Sequence, residues 1–162
     1  RPGSMDPGVM LHLFQTVGLS AQEVESILYK KSGLLGVSGI SNDMRELLDH
    51  PDPRARLAVD YFVYQAAKHI GALAAVLGGV DALVFTAGIG EHSAVIRRRI
   101  CEASAVLRID LDPEANARRD PRITRLGCRV SAWGIPTNEE LLSARHTCIV
   151  LGLIEARAHL RR

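Results

Sequence analysis

Apolar residues along this chain follow two different rhythms, and the change from one to the other near residue 80 divides it. Up to Leu77 they recur at the three- and four-residue spacing of helices. Asp6-Pro7 offers a carboxylate cap followed by proline at the first helical position, where its missing N–H costs nothing. Met10, Leu11, Leu13, Phe14 and Val17 follow, which predicts a helix over 7–17. Ser20 and Glu23 form a capping box ahead of Val24, Ile27 and Leu28, and Gly33 is the expected stop. Residues 33–41 hold three glycines and two serines, a loop composition, before a short helix opens at Asn42 or Asp43. Pro51-Asp-Pro53 ends that helix and starts the next with Asp52 as its cap. Over 53–77 apolar residues spread nearly all round, which predicts a central, buried helix.

Then the period changes. Residues 81–86 form a brief apolar, β-branched run and read as a buried strand. Gly88-Ile-Gly90-Glu91 turns that strand into a helix carrying Val95, Ile96 and Ile100. A second strand is expected over 129–135, and Thr137-Asn-Glu-Glu140 is a further capping box opening the last helix. The order of helices, strand, helix, strand, helix is that of an α/β chain, rich in helix with a small sheet.

Composition narrows the function classes. A chain of 162 residues is one domain or a piece of a larger protein. With 47% hydrophobic and 23% charged residues it resembles ordinary globular chains, but only 4% are aromatic, so aliphatic side chains must fill the core. A formal charge of +2 suggests neither a nucleic-acid nor a membrane-surface partner. The run Arg97 to Arg99 reads as a solvated helix face, although such a face also attracts phosphate. Cys101, Cys128 and Cys148 are an odd number without C-x-x-C spacing, which fits a reducing, cytoplasmic setting. No signal peptide is recognisable, and the apolar stretch 70–90 is too interrupted for a membrane span.

Chemistry concentrates at residues 85–91. A strand that ends in glycines and feeds a helix presents free N–H groups at the carboxyl edge of a sheet, where phosphates and nucleotides bind. A tight strand-to-helix turn explains the same residues equally well. The dinucleotide fingerprint is unmet, because its third glycine would fall at Ser93. Within the last capping box Glu140 would reach back to the N–H of Thr137, leaving Glu139 free. Such an acid either complements the helix dipole or helps hold nucleotide-borne magnesium, which takes hard oxygen ligands. Asp43-Met44-Arg45 alone reads as a helix start. The histidines are scattered without metal-ligand spacing, and no serine has a nucleophile frame.

At these residues the chain resembles the acetate kinase family (acetate, propionate and butyrate kinases). Arg1-Pro-Gly-Ser-Met-Asp-Pro-Gly8 is similar to the family's T-R-x-G-x-x-D-P-G. Lys30 to Arg45 is similar to its K-S-G-L-L-G-x-S-G-x-S-x-D-x-R, Phe85 to Glu91 to its F-T-A-G-I-G-E-N, and Pro136 to Leu141 to its P-T-N-E-E-L. The resemblance implies reversible phosphoryl transfer from ATP to acetate or another short-chain carboxylate, giving ADP and acetyl phosphate, with Mg2+. It implies a partial actin-like ATPase fold of the ribonuclease H-like type, the carboxyl-terminal lobe alone, incomplete for turnover. The N-terminal lobe and the first strands of the carboxyl-terminal lobe would lie elsewhere. By position, Arg1 would stabilise the transferring phosphoryl group, Asp43, Met44 and Arg45 would lie along the adenosine, Gly88, Ile89, Gly90, Glu91 and His92 would form the nucleotide turn, and Glu139 would associate with magnesium. His92 stands where the family usually has asparagine. An alternative of another class is a binding or homodimerisation module without chemistry, because the apolar 53–77 helix and the tail 147–154 offer more apolar face than two strands can cover.

Overall fold

A computed structural model of the chain describes residues 2–153. Arg1, the residue expected at the phosphoryl group, lies outside the described residues, as do 154–162. Helix α1 (Pro7–Leu11) runs into a π-helical turn over His12–Thr16. Helices α2 (Ala21–Lys30), α3 (Gly33–Ser38), α4 (Met44–Asp49) and α5 (Pro53–Val76) follow. Strand β1 (Ala82–Phe85), helices α6 (Ala87–His92), α7 (Ala94–Ala103) and α8 (Pro113–Arg118), strand β2 (Ser131–Gly134) and helix α9 (Glu139–Val150) complete the order.

Short polar side chains, four of them aspartates, cap most of the helix starts. Asp6 accepts from the Gly8 N–H at 2.7 Å, Asp43 from Arg45 at 2.8 Å and Asp52 from Arg54 at 2.8 Å, and Ser20 with Glu23 closes the expected capping box. Asp112-Pro113 repeats the Asp-Pro start at α8, a helix the hydrophobic pattern does not announce. The two strands pair in parallel, Ala82 opposite Ser131 and Phe85 opposite Gly134, with α6, α7 and α8 in the crossover between them. One aliphatic core joins these parts: Met44 and Leu47 from α4, Ala55, Ala58, Val59 and Val63 from α5, Phe85, Ile96, Ile100, Cys101, Ile123 and Ala132.

Three expectations need correction. The glycine-rich segment 33–41 is helical as far as Ser38, because α3 lies against α5 and its apolar side chains gain a surface to bury on, a tertiary gain that outweighs the weak helix propensity of glycine. Gly36 allows the close turn from α2 into α3, since a Cβ there would lie 2.8 Å from the Lys31 carbonyl oxygen. Helix α5 is buried only in its first half; Leu73, Val76 and Leu77 at its far end are exposed. Strand β1 is buried at Phe85 but open at Val84, because the sheet has two strands and only part of one face is covered. Among the described residues no helix is long and apolar enough to cross a membrane.

The cap carboxylates carry an acid dependence. The Arg45 guanidinium and then its backbone N–H hold the Asp43 carboxyl at about 2, down from the ordinary 3.8, and Arg54 does the same to Asp52. A depressed carboxyl adds stability that is fully present above the unfolded value of 3.8 and fades as pH falls toward about 2. Asparagine still caps but cannot titrate. Denaturation followed by circular dichroism should therefore show Asp52→Asn less stable than the unaltered chain at pH 6, with the gap closing by pH 2. A gap that persists at pH 2 would mean that the carboxylate's charge is not its source.

Candidate functional site

The candidate site is the junction where β1 gives way to α6. Thr86 is extended, and Ala87 then takes φ +57, a left-handed conformation that a non-glycine residue adopts only when its surroundings impose it. The two glycines that follow serve different purposes. A Cβ on Gly90 would lie 3.2 Å from the Phe85 carbonyl carbon and 3.5 Å from its Cα, so this glycine is bare to let the helix pack on the strand that precedes it. A Cβ on Gly88 would meet nothing within 4 Å, and its φ lies outside the left-handed region. No local constraint demands glycine at 88. Of the two glycines in the expected turn, Gly88 is the one on its open side.

Helix α6 stops after six residues instead of running on to Ile100, and Ser93 caps a separate helix by accepting from the Ile96 N–H at 3.3 Å. That cap accounts for serine at the position where a dinucleotide fingerprint would place glycine. What holds the broken junction is Arg97. Expected as part of a solvated face, its side chain is 1% exposed. Its guanidinium donates to the carbonyl oxygens of Gly90 at 2.9 Å and Glu91 at 2.8 Å, which a six-residue helix would otherwise leave unpaired at its end. It also donates to Asn116 Oδ1 and to the Asn116 carbonyl, each at 2.7 Å. Asn116 Nδ2 in turn donates to the Ala94 carbonyl at 2.9 Å. Burial pushes the guanidinium below its ordinary value, but an arginine so placed keeps its proton. Of its neighbours in sequence, Arg98 is exposed, and Arg99 pairs with Asp60 of α5.

Glu91 is also engaged. Its Oε1 accepts from the backbone N–H and from the hydroxyl of Thr137, both at 2.9 Å, and these bonds hold its carboxyl below the usual range. The expected capping box is therefore rearranged. Glu140 does not take the Thr137 N–H; Asn138 is the cap of α9, its Oδ1 accepting from Leu141 at 2.8 Å, and Glu139 is the first helical residue. His92 and Glu91 border a cleft of about 190 Å³ closed by Arg119, Asp120, Gly134 and Pro136.

The segment 38–45 sits on the same core. Ser38 is fully buried, and its hydroxyl accepts from the Ile40 and Ser41 N–H groups. Ser41 Oγ accepts from Asp43 at 3.0 Å. These turns present Arg45 to solvent with Asp43 clasped to it at 2.6 Å, while Met44 points into the core cluster that holds Phe85 and on which Ile89 packs. The Met44 side chain is thus a core anchor, and Asp43 serves as the cap of α4. Among the described residues no three His, Cys, Asp or Glu side chains gather as a metal site. A nucleotide-borne magnesium, which takes one or two protein carboxylates, does not require such a cluster.

Comparison with known proteins gives a consistent result. A model of the acetokinase family matches residues 1–145. An acetate kinase of Rhodopseudomonas palustris strain TIE-1 is 56% identical over 148 residues, which are 90% of this chain and 37% of that protein. Among solved structures, Porphyromonas gingivalis acetate kinase superposes with a TM-score of 0.81 at 38% identity, over 93% of this chain and 39% of its own length. A propionate kinase from Francisella tularensis superposes with a TM-score of 0.80 at 36% identity, over 90% of this chain and 38% of its own. The chain thus spans less than two fifths of the length of these relatives.

Two pairs of substitutions test the local assignments. Gly90→Ala should cost about 1–3 kcal/mol through its clash with Phe85, whereas Gly88→Ala should be neutral or stabilising by up to ~1 kcal/mol, as alanine is in a helix. Thermal melts of both variants decide this, and equal losses would refute the division of labour. Asn138→Ala should fray the start of α9 at about 0.5–2 kcal/mol, read by amide exchange at residues 139–142, with Glu140→Ala close to neutral.

Proposed function

The chain belongs to the acetokinase family, and from that premise we propose that it is the carboxyl-terminal, nucleotide-side portion of a kinase that moves a phosphoryl group between ATP and acetate or a similar short-chain carboxylate. The fold is the corresponding part of the actin-like ATPase architecture, helix-rich with a small parallel sheet. The observation that carries the nucleotide-side reading is the open face over Gly88. It is a helical glycine with no structural need to be one, at the carboxyl end of a strand, where actin-like and other α/β folds alike take phosphate-bearing ligands.

In the forward reaction a carboxylate oxygen of the acid attacks the γ-phosphorus of ATP. The bond from that phosphorus to the β–γ bridging oxygen breaks, and ADP leaves as acetyl phosphate forms. Such a transfer asks the protein for positioning and charge stabilisation and for no protein nucleophile. The turn 88–92 would seat the adenosine diphosphate moiety, with the exposed Arg45 beside it. Arg1 would meet the charge developing on the transferring phosphoryl group with its planar fork. Magnesium carried by the nucleotide would lower the charge on the phosphates, and Glu139, the first residue of α9, would be the carboxylate associated with it. The exposed apolar end of α5, with Leu73, Val76 and Leu77, supports the further reading that the protein is a homodimer or packs there on its own remaining part. A cytoplasmic setting agrees with three unpaired cysteines.

Three kinetic outcomes follow. This chain alone, given ATP and acetate in a coupled ADP-release assay, should show no turnover, and robust turnover would overturn its reading as a portion. In the intact kinase that carries it, Arg1→Lys should lose mainly turnover number and keep nucleotide affinity. Gly88→Val should raise the KM for ATP with little loss of thermal stability. If Gly88→Val leaves that KM unmoved, the turn does not seat the nucleotide.

A further inference from the structure

We propose that Arg97, Glu91 and Thr137 form a positioning chain that fixes the β1–α6 turn and the entry of α9 as one unit, so that the nucleotide turn and the residue at the head of α9 keep their relative placement. The inference rests on the reading of residues 88–92 as a nucleotide turn, and it concerns the side-chain bonds that hold that turn in place.

The geometry runs from the interior outward. Arg97 is 1% exposed and grips the turn by its backbone, at the carbonyl oxygens of Gly90 and Glu91. Its other two hydrogen bonds go to Asn116 of α8, so the grip is anchored in a second helix and not only in its own. With the Glu91 backbone thus held, its carboxylate reaches across 46 residues of sequence to Thr137 and takes both donors of that residue, the N–H and the hydroxyl, on one oxygen. On the other side of the same loop the Ile135 N–H donates to the Phe85 carbonyl at 2.9 Å. The loop that opens α9 is therefore fastened at 135 to the last residue of β1 and at 137 to α6. Among the described residues no comparable hydrogen bond supports α9 along its length, where Leu141, Leu142 and Val150 are exposed. The start of α9, with Glu139 one residue past its cap, takes its position from these few bonds.

Arginine suits the anchor for a physical reason. Four carbonyl-type acceptors around one side chain need donors spread in a plane, which a guanidinium provides and an ammonium does not. A loss of the link would allow the turn and the head of α9 to drift apart, and displacements near 1 Å in such a site cost up to about a hundredfold.

The test uses the intact kinase and reads two quantities, the dissociation constant for ATP by calorimetry and amide hydrogen exchange at residues 135–141. Glu91→Ala at a half-buried position and Thr137→Val at an exposed one should each weaken ATP by about tenfold, the lower end of what loss of an orienting partner brings. The double variant should be no weaker than the worse single one, since both changes cut the same link. Exchange at 135–141 should quicken in each, with little movement of the melting temperature. Glu91→Gln, whose amide oxygen can still accept from Thr137, should recover most of the loss. Arg97→Lys should quicken exchange at 90–93 and 135–141 together; if it fails to fold, the Glu91 and Thr137 pair still decides. Unchanged ATP affinity in both single variants, or strictly additive losses, would overturn the proposal. An unaltered kinase that binds no ATP would instead overturn the functional reading, and this inference with it.

Discussion

A single buried cation, the guanidinium of Arg97 set among carbonyl oxygens, makes the rest of the site possible, because a strand cannot turn into a six-residue helix and immediately into another without leaving carbonyls unpaired in a crowded place. An unpaired buried carbonyl costs on the order of 1–3 kcal/mol, and the guanidinium covers two of them at the end of α6 while bonding Asn116 twice. No carboxylate accepts a hydrogen bond from it among the described residues. The charge is instead balanced by oriented dipoles, including the carbonyl end of α6, which favours a cation. The cap is thus also an electrostatic match, and it leaves the Glu91 carboxylate free to be spent on Thr137.

The junction shows how stability and binding divide between neighbouring residues. Gly90 is bare because the chain doubles back onto Phe85, and Ala87 holds a left-handed φ at the same bend. Both are consequences of packing. Gly88 sits between them with an ordinary backbone and empty space where a side chain would lie, so its missing Cβ weakens the helix and improves no contact within the described residues. A residue that lowers stability without local compensation is better explained by what approaches from outside than by what lies beneath.

Much of this was legible in the sequence, and the limits of that legibility have a common cause. Asp6-Pro7, Asp52-Pro53 and the Ser20–Glu23 box announce helix starts because a cap is a contact within three residues, which a local pattern records fully. The strand and its glycine turn were visible for the same reason. Residues 33–38 look like loop and Arg97 looks solvated in the sequence because each is decided by a partner distant along the chain, α5 in one case and Asn116 in the other. The last capping box went astray similarly. Its local pattern was sound, yet Glu91, 46 residues earlier, took the Thr137 N–H first. The role of Arg97 had one available signal, an arginine in register with the core residues Ile96, Ile100 and Cys101 on a helix following a turn, and composition alone could not separate it from Arg98.

The surfaces left open have a logic of their own. Parallel strands are normally covered on both faces, and a two-stranded sheet seldom stands unaided. Here β1 leaves Val84 exposed, α5 leaves Leu73, Val76 and Leu77, and α9 lies with Leu141 and Leu142 in solvent. Other apolar side chains are exposed too, among them Leu57 and Tyr61 on the near half of α5, while α4, α5 and α7 share one core with Phe85, Ile123 and Ala132. The chain superposes on the Porphyromonas gingivalis acetate kinase at a TM-score of 0.81 over 39% of that protein's length, and within that portion it keeps a continuous core. The candidate site lies between that core and the exposed faces. Arg97 and Asn116 belong to the buried part, and Thr137 at the entry of α9 to the exposed one. The Glu91 carboxylate and the backbone bond from Ile135 to Phe85 join the two.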